Sequence, residues 1–440
     1  MEFFLTLHPE TIHVLFQNIR FLITQNPEKE VLENVDLRII DDKISEIGDL
    51  ESGEDEEIVD CSGKILMPGL INTHTHASMS LLRGISDNKE LEDWLQEDIF
   101  PAEEAMEDED LLQGARLACV EMLETGTTCF NDMYEGIDLV TEAVEETGIR
   151  AVLSRGLFDW DNKGEKRVGE AKEAVKKYSD HEIVTPGIAP HAVYSCSEDL
   201  LKKMKKFAEE HGVPYHIHVS ETEKENRDLE ADEGVTPTQY LDRHGILDLS
   251  VVAAHAAWLS DEDKELFEQK GVNVAHNPAA NLKLGSGIAE IPELLDKGVN
   301  VALGTDGPAS NNNFNLFEEM KTSALVHKLE SPENIDEQQV LDMATINGAK
   351  ALGLEDEIGS IEEGKKADLL IIDFERPELK PFHGEKGLVS NLVFSFTGHP
   401  QKVFVNGKTV VDEGRVQGVD RTDLLEKVQE RSEKFERSEL

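Results

Sequence analysis

Two histidines, His74 and His76, stand two positions apart at the end of an apolar segment that begins at Met67. In a β-strand, successive side chains alternate between faces, so these two imidazoles would project from the same face. Paired imidazoles are frequent ligands of zinc and related transition metals. A His-x-His pattern alone is weak evidence, because the same pattern also occurs without a metal. The chain therefore has to supply further ligands, a proton carrier and a scaffold.

The residues from 65 to 304 alternate short apolar segments with amphipathic, helix-forming ones. Glycines such as Gly148, Gly212 and Gly271 stand where the helical segments end, as expected for turns into a following strand. The eight predicted strands are Ile65–Thr75, Thr127–Asn131, Arg150–Arg155, Val184–Ala189, Pro214–Val219, Val251–His255, Val272–His276 and Val299–Gly304. This α/β pattern predicts a parallel (β/α)8 TIM-like barrel. A doubly wound open sheet is the alternative, but no Gly-x-Gly-x-x-Gly phosphate loop follows an early strand.

The two ends of the chain show short alternating strands separated by turn residues, including the strong hairpin signal Asn406-Gly407. We expect both ends to combine into one small β-sandwich domain, with the barrel inserted between them. The predicted boundaries are 1–66 and 361–420 for the two parts of the β domain, 67–360 for the barrel, and 421–440 for a charged terminal helix, either docked or frayed.

Reactive groups of such a barrel lie at the carboxyl ends of its strands. The polar residues at the predicted strand ends are His74, His76, His191, His218, His255 and Asp306, and Glu221 follows His218 by three positions. Any one of these histidines could be an ordinary buried residue, which is the preferred interpretation of His216 and His276. As a set they predict a metal site.

The motifs His74-Thr-His76, His218-x-x-Glu221 and Gly304-Thr-Asp-Gly307 resemble those of the amidohydrolase superfamily. The stretch from Asn72 to Gly84 is similar to its 5′-methylthioadenosine/S-adenosylhomocysteine deaminase family, and the resemblance runs from about residue 17 to about residue 416. It implies a metal-dependent hydrolytic deaminase that converts S-adenosylhomocysteine and 5′-methylthioadenosine to their inosyl analogues plus ammonia. Adenosine and 5′-deoxyadenosine are further candidate substrates.

The resemblance also implies a cofactor, one divalent metal ion per subunit, with zinc the first choice among Zn²⁺, Fe²⁺, Mn²⁺ and Ni²⁺. The implied ligands are His74, His76, His218 and Asp306. Bimetallic relatives carry a lysine at the end of strand four, where this chain has His191, so a mononuclear site is expected.

Catalytic and substrate-binding roles are likewise carried over from the resemblance. The implied catalytic residues are Glu221, which protonates N1 of the purine, His255, which orients the attacking water, and Asp306, which takes a proton from it. The implied substrate-binding residues are Glu103 at the ribose hydroxyls, Arg155 and Arg167 at the homocysteine carboxylate, and His191 and Glu221 at the nucleoside. Without the resemblance, Glu103 and Arg167 could equally be surface residues of charged segments.

Two alternatives remain open. The first is an s-triazine or guanine-type amino- or chlorohydrolase, which would have the same metal site but act on a different substrate ring. Against it, Glu103, Arg155 and Arg167 favour a ribosyl substrate with a carboxylate tail. A non-catalytic binding protein belongs to another class. Such proteins typically lose metal ligands, whereas this chain retains all four.

The charge of the chain restricts its partners and suggests its habitat. Ninety-one acidic residues against 43 basic ones give a formal net charge of −48. Such a chain repels nucleic-acid phosphates and anionic membranes, so neither is expected as a partner. Carboxylates spread along a folded chain suggest a halophilic protein from a high-salt cytoplasm, where the repulsion between them is screened.

Other bulk features agree with a cytoplasmic enzyme. The four cysteines are widely spaced and form no Cys-x-x-Cys pair, which indicates reduced thiols rather than disulfides. No apolar run approaches the about 20 residues that span a bilayer, and the start of the chain does not resemble a secretory signal. By analogy with relatives, a homo-oligomer, either a dimer or a tetramer, is expected.

Overall fold

The computed structural model describes residues 13–53, 56–329 and 331–435. Two sheets organise these residues: a parallel barrel and a mixed sheet built from both ends of the chain. The predicted barrel and the small β domain formed by both ends of the chain are therefore confirmed. That domain, predicted as a β-sandwich, consists of one mixed sheet in the described residues. The exact domain boundaries stay a prediction, and the parts that fall on residues 1–12 and 436–440 lie outside the described residues.

The strands of the mixed sheet come from both ends. They are β1 (His13–Ile23), β2 (Val31–Ile40), β3 (Lys43–Gly48), β4 (Glu57–Asp60), β5 (Lys64–Pro68), β14 (Leu369–Asp373), β15 (Lys402–Val405), β16 (Lys408–Asp412) and β17 (Arg415–Val416). Their order is β17-β16-β15-β14-β5-β1-β2-β3, with β4 beside β1. The predicted hairpin at Asn406-Gly407 is confirmed: both residues have positive φ, 49° and 72°, and they join antiparallel β15 and β16.

The barrel strands run parallel and neighbour one another in chain order. They are β6 (Leu70–Thr75), β7 (Thr127–Tyr134), β8 (Arg150–Leu157), β9 (Val184–Pro190), β10 (Tyr215–Val219), β11 (Val251–His255), β12 (Asn273–His276) and β13 (Val301–Leu303). The first and last strands meet through the Thr73 hydroxyl, which donates to the Leu303 carbonyl at 2.9 Å, and through the Asp306 amide, which donates to the His74 carbonyl at 3.0 Å. The ends of β6 and β13 are thereby held side by side.

The segment Ile65–Thr75, predicted as one strand, is two strands that belong to different sheets. The break falls at Gly69, between β5 and β6. A Cβ atom at Gly69 would lie 2.0 Å from the Thr128 hydroxyl oxygen, so only glycine allows this close approach. A buried ion pair, Arg150 Nε to Asp368 Oδ2 at 3.0 Å, also ties the barrel to the mixed sheet.

Helices alternate with the barrel strands and cover them. The α-helices of the described residues are α1 (Leu91–Trp94), α2 (Phe100–Glu104), α3 (Asp108–Glu124), α4 (Ile137–Thr147), α5 (Gly164–Tyr178), α6 (Glu198–His211), α7 (Glu223–Glu233), α8 (Pro237–Arg243), α9 (Asp261–Lys270), α10 (Pro278–Leu284), α11 (Ile291–Asp296), α12 (Leu316–His327), α13 (Glu337–Ala344), α14 (Ile346–Leu352), α15 (Glu385–Phe394) and α16 (Arg421–Ser432). A π-helix, Leu95–Ile99, joins α1 to α2. Short 3₁₀ helices lie at Ala77–Leu82, Val193–Ser195, Ile246–Asp248, Pro377–Leu379 and Glu433–Phe435.

The predicted terminal helix is present as α16 and docks against the barrel. It packs on α3 and on the 3₁₀ segment Ala77–Leu82, which directly follows His76. Its most buried apolar side chain is Leu424, with Phe435 just beyond its end, both 3% exposed, and Val428 also packs against the core. None of the described helices combines the length and the apolar character required to cross a membrane.

Candidate active site

The strand ends of the barrel bring the predicted metal ligands to one point. Asp306 Oδ1 lies 3.3 Å from His74 Nε2 and 3.2 Å from His76 Nε2. The His218 ring stands 4.8 Å from the His74 ring, centroid to centroid, and the His255 ring 5.3 Å from it. Parallel strands end at one rim of the barrel, and for that reason residues separated by up to 232 positions meet there.

Backbone carbonyls orient two of these imidazoles. His76 Nδ1 lies 2.7 Å from the Met133 carbonyl oxygen, and His218 Nδ1 lies 2.7 Å from that of His191. Since a carbonyl oxygen can only accept, each Nδ1 must carry the proton. Each Nε2 of a neutral ring then presents its lone pair, the arrangement that metal-binding histidines require.

The Asp306 carboxylate is oriented by Ser310, and the backbone around Asp306 is constrained as well. The Ser310 hydroxyl donates to Asp306 Oδ2 at 2.6 Å, so Oδ1 is the oxygen that faces His74 and His76. Asp306 has a φ of 61°, in the left-handed region that non-glycine residues rarely adopt. The Asn72 carboxamide accepts from the Thr305 amide at 3.0 Å and fixes the preceding residue. Strain of this kind concentrates at functional sites.

The geometry of this cluster fits a divalent metal. His74 is fully buried, and its Nε2 makes no hydrogen bond within the described residues although Asp306 Oδ1 is close. Ligand atoms bound tetrahedrally at about 2.0–2.1 Å lie about 3.3 Å from one another, which matches the two measured separations. The ligand atoms of His74, His76 and His218 also lie within 4.8 Å of one another, as do those of His74, His255 and Asp306.

The pKa values in the cluster indicate which rings are neutral and where a positive charge is favoured. Burial lowers the pKa of His74 to about 3 and holds that of His218 well below its ordinary value, so both rings are neutral ligands. Burial also opposes charging of His76, but its contact with Asp306 raises the His76 pKa to about 9. Burial would raise the pKa of Asp306, yet His74 and His76 hold it well below its usual range. A cation beside Asp306 Oδ1 satisfies this preference.

Glu221 and His255 form a pair of proton-handling groups next to the cluster. Glu221 Oε2 lies 3.8 Å from His255 Nε2, and both side chains are almost completely buried. Burial raises the pKa of Glu221 above its ordinary value. His255 Nδ1 is 2.7 Å from the Asn281 carboxamide oxygen, which directs the ring so that Nε2 faces Glu221. A carboxyl that can hold a proton therefore stands beside a ring nitrogen whose lone pair can accept a hydrogen bond.

A cavity of about 520 Å³ opens above these residues and contains the predicted substrate-binding positions. Its volume lies in the usual range for small-molecule sites. Glu103 is on its wall, where the Tyr134 hydroxyl donates to Glu103 Oε1 at 2.6 Å, and burial raises the Glu103 pKa. His191 also lines the cavity; its Nδ1 is 2.9 Å from the Ser195 hydroxyl, and burial lowers its pKa to about 3.

The predicted carboxylate-binding arginines, Arg155 and Arg167, also line the cavity. Each already pairs with acidic residues of the protein: Arg155 with Glu135 and Glu170, and Arg167 with Asp161. Every predicted site residue except His74 thus lines this cavity, and His74 lies buried beside it against Asp306. The role assigned to each residue stays a prediction.

Several residues that position this site were not identified from the sequence. Ser310 orients Asp306, Asn281 orients His255, and Asn72 holds the loop that carries Asp306. His216, interpreted as a core histidine, is buried and contacts His74 directly, with 2.9 Å between its Nε2 and His74 Nδ1. Motif spacing carries no signal for these contacts, apart from the nearness of Ser310 to Asp306 in the chain.

Comparisons with known proteins show the family of the chain. Residues 65–410 match the amidohydrolase family, and the chain belongs to that family. It is 43% identical to a 5′-deoxyadenosine deaminase of Methanosarcina acetivorans, over 94% of this chain and 96% of that protein. It is 40% identical to a 5-methylthioadenosine/S-adenosylhomocysteine deaminase of Thermodesulfovibrio yellowstonii, over 93% of this chain and 95% of that protein. Among solved structures, a zinc-bound adenosine deaminase from Xanthomonas campestris superimposes with a TM-score of 0.92 at 31% identity, covering 96% of this chain and 98% of that one.

Proposed function

We propose that this protein is a metal-dependent hydrolytic deaminase of adenine nucleosides altered at the 5′ position. Its proposed substrates are S-adenosylhomocysteine, 5′-methylthioadenosine and 5′-deoxyadenosine, with adenosine as a further candidate. The observation that carries this proposal is the Glu221–His255 pair, 3.8 Å apart, beside a His/Asp cluster at the floor of a nucleoside-sized cavity. The names of two relatives over nearly the whole chain support the same substrates.

We propose one divalent metal ion per subunit, with zinc as the metal. His74, His76, His218 and Asp306 would hold it, and the zinc-bound relative supports this choice. Bound in such a site, the metal lowers the pKa of a water molecule to about 7 and so supplies a nucleophile at neutral pH.

The protein's own residues manage the protons of the reaction. Water adds at C6 of the purine while Glu221 gives a proton to N1, a task that its raised pKa suits. His255 accepts a hydrogen bond from the incoming water through Nε2 and fixes its direction of attack. Asp306 takes a proton from that water and passes it to the amino group as the C6–N bond breaks. The C6 hydroxyl then returns its proton to Glu221 as the 6-oxo group forms. One water is therefore consumed, and one ammonia and one inosyl product are released.

The ribose would be held on the cavity wall opposite the reacting edge of the purine. The carboxylate of Glu103 can accept from two neighbouring hydroxyls, and its hydrogen bond with Tyr134 fixes its orientation. His191, neutral because burial lowers its pKa, supplies a further hydrogen-bonding group. These contacts favour a nucleoside over a free ring.

We also propose that the enzyme works as a homo-oligomer, a dimer or tetramer, in a cytoplasm of high salt content. The net charge of −48 supports the habitat, and the four buried free cysteines support a reducing compartment. Its partner is then the small nucleoside substrate, without nucleic acid or membrane. Activity that is unchanged between low and high salt would contradict the halophilic part of this proposal.

The test measures ammonia release by the zinc-loaded protein. The compounds are the three proposed substrates and, for comparison, adenosine, guanine and an s-triazine. We expect turnover of the nucleosides, and a loss of about 10²–10⁴-fold in kcat for Glu221→Gln with metal content unchanged. Glu230→Gln removes one exposed carboxylate from α7 and serves as the matched control. Wild-type turnover by Glu221→Gln, or preference for guanine or the triazine, would refute the proposal.

A further inference from the structure

Two nearly buried arginines face the candidate active-site cavity, and both are engaged by acidic residues of the protein. Arg155 is 7% exposed and Arg167 is 5% exposed. A guanidinium group binds a carboxylate best through two parallel N–H donors. Whether a substrate carboxylate can bind here therefore depends on how many donors remain.

Both terminal nitrogens of Arg167 donate to one carboxylate, whereas its Nε is buried and has no hydrogen-bond partner in the described residues. Nη1 and Nη2 donate to the two carboxylate oxygens of Asp161 at 2.6 and 2.7 Å, and Nη1 also reaches the Phe158 carbonyl at 3.1 Å. The guanidinium carbon lies 3.5 Å from the centre of the Phe158 ring, which fixes the plane of the group. Arg167 lowers the pKa of Asp161 to about 2, so Asp161 stays ionised at neutral pH.

Arg155 is occupied in a similar way. Its Nε donates to Glu170 at 2.8 Å, its Nη2 to Glu135 at 2.9 Å, and its Nη1 to the Gly156 carbonyl at 2.8 Å. All three nitrogens of this guanidinium thus have a partner within the protein. A substrate carboxylate entering here would meet the charges of Glu135 and Asp161 before it met a free donor pair.

The same wall offers an apolar surface. The Phe158 and Trp160 rings stack at 4.4 Å between centroids, and Phe100 contacts Trp160 at 5.7 Å. Trp160 is 53% exposed and lines the cavity. A methyl or methylthio group can pack on such rings without displacing a charged residue.

We infer that Asp161 is a specificity-determining residue, which closes Arg167 to substrate carboxylates and favours nucleosides with a neutral 5′ group over S-adenosylhomocysteine. This inference rests on the proposed function. In the described part of the chain, Asp161 accepts hydrogen bonds from Arg167 and the Lys163 amide and pairs with no residue of the metal cluster, so it selects among substrates without a part in the reaction.

The test compares kcat/KM for S-adenosylhomocysteine and 5′-methylthioadenosine in the wild type and in Asp161→Asn. The amide keeps the size of the side chain but cannot accept both guanidinium donors, so the ratio should shift toward S-adenosylhomocysteine by about tenfold. Asp159→Asn is the matched control: it removes one charge from the same loop, where Asp159 accepts from Ser197 and touches neither arginine. Its ratio should stay at the wild-type value.

Glu135→Gln provides a second variant even if Asp161→Asn folds poorly. It removes the carboxylate charge from Arg155 Nη2, while Glu170 and the Gly156 carbonyl still hold Nε and Nη1, so the ratio should shift in the same direction by a smaller factor. An unchanged ratio in folded Asp161→Asn, or in Glu135→Gln where Asp161→Asn does not fold, would overturn this inference. The proposed function would still stand as long as 5′-methylthioadenosine releases ammonia. No ammonia from any adenine nucleoside would overturn the proposed function, and this inference with it.

Discussion

Ser310 is expected to control how tightly the site holds its metal. Its hydroxyl donates to Asp306 Oδ2 at 2.6 Å, and the side chain is 2% exposed. Ser310→Ala removes this bond, so the buried Oδ2 of Asp306 loses its hydrogen-bond donor. Because Asn72 and the backbone still hold the loop, the substitution should loosen the orientation of the carboxylate rather than unfold the segment.

The magnitude follows from the hydrogen bond. A bond to a charged group contributes about 1.5–3 kcal/mol. The Ser310 proton is shared, since the Gly307 carbonyl is also within reach at 2.8 Å, so the lower part of that range applies. A loss of about 1.5–2 kcal/mol corresponds to roughly ten- to thirtyfold weaker metal binding, similar to other losses of residues that orient metal ligands.

Competition with a chromophoric chelator measures the zinc affinity of wild type and variant. Ser323→Ala is the matched control, because Ser323 is completely buried in α12 and its hydroxyl makes no hydrogen bond within the described residues. It should bind zinc as the wild type does. Wild-type affinity in Ser310→Ala would refute the assignment of Asp306 as a ligand held through Ser310.

Two further predictions concern stability. Burial raises the pKa of Glu319 from 4.5 to about 8, so the folded protein retains a proton that the unfolded chain has lost. This contribution to stability is present below about pH 4.5 and is lost as the pH rises through about 8. The Tm of the wild type should therefore fall between these two pH values, and the Tm of Glu319→Gln should fall less steeply. Calorimetry across pH checks this, with the exposed Glu318→Gln as control; equal slopes in Glu319→Gln and wild type would contradict it. On the terminal helix, Arg431 and Lys434 both pair with the fully buried carboxylate of Asp110. Replacing Arg431 and Lys434 by Gln should lower the free energy of unfolding by about 1–2 kcal/mol, because the buried Asp110 carboxylate loses its partners. The loss is not larger because both cations are partly exposed, so solvent screens the ion pairs. The control is Lys427→Gln, which breaks an exposed pair with Asp423 and should change the free energy of unfolding by less than about 0.5 kcal/mol. If urea unfolding showed equal losses for the control and the double variant, the role of the Asp110 ion pairs would be disproved.

Much of the fold followed from local patterns. The strand Val251–His255 has the predicted limits, and the hairpin at Asn406-Gly407 lies where a two-residue turn was expected. Both depend on short-range properties, namely alternation of apolar residues and the ease of positive φ. The break at Gly69 was not predicted, because it arises from the side chain of Thr128, which is distant in sequence.

In the candidate site, too, some features follow from local sequence patterns and others depend on the tertiary structure. The sequence alone determined which residues could act: His74 and His76 share a face because side chains alternate in a strand, and Asp306 stands at a strand end. Only the tertiary structure decided what those groups contact. Ser310 on Asp306, Asn281 on His255 and Asp161 on Arg167 are set by distances between loops that no periodicity encodes. The physical reason is that hydrogen bonds and ion pairs depend on separations of a few ångströms, which are fixed only once the barrel has closed.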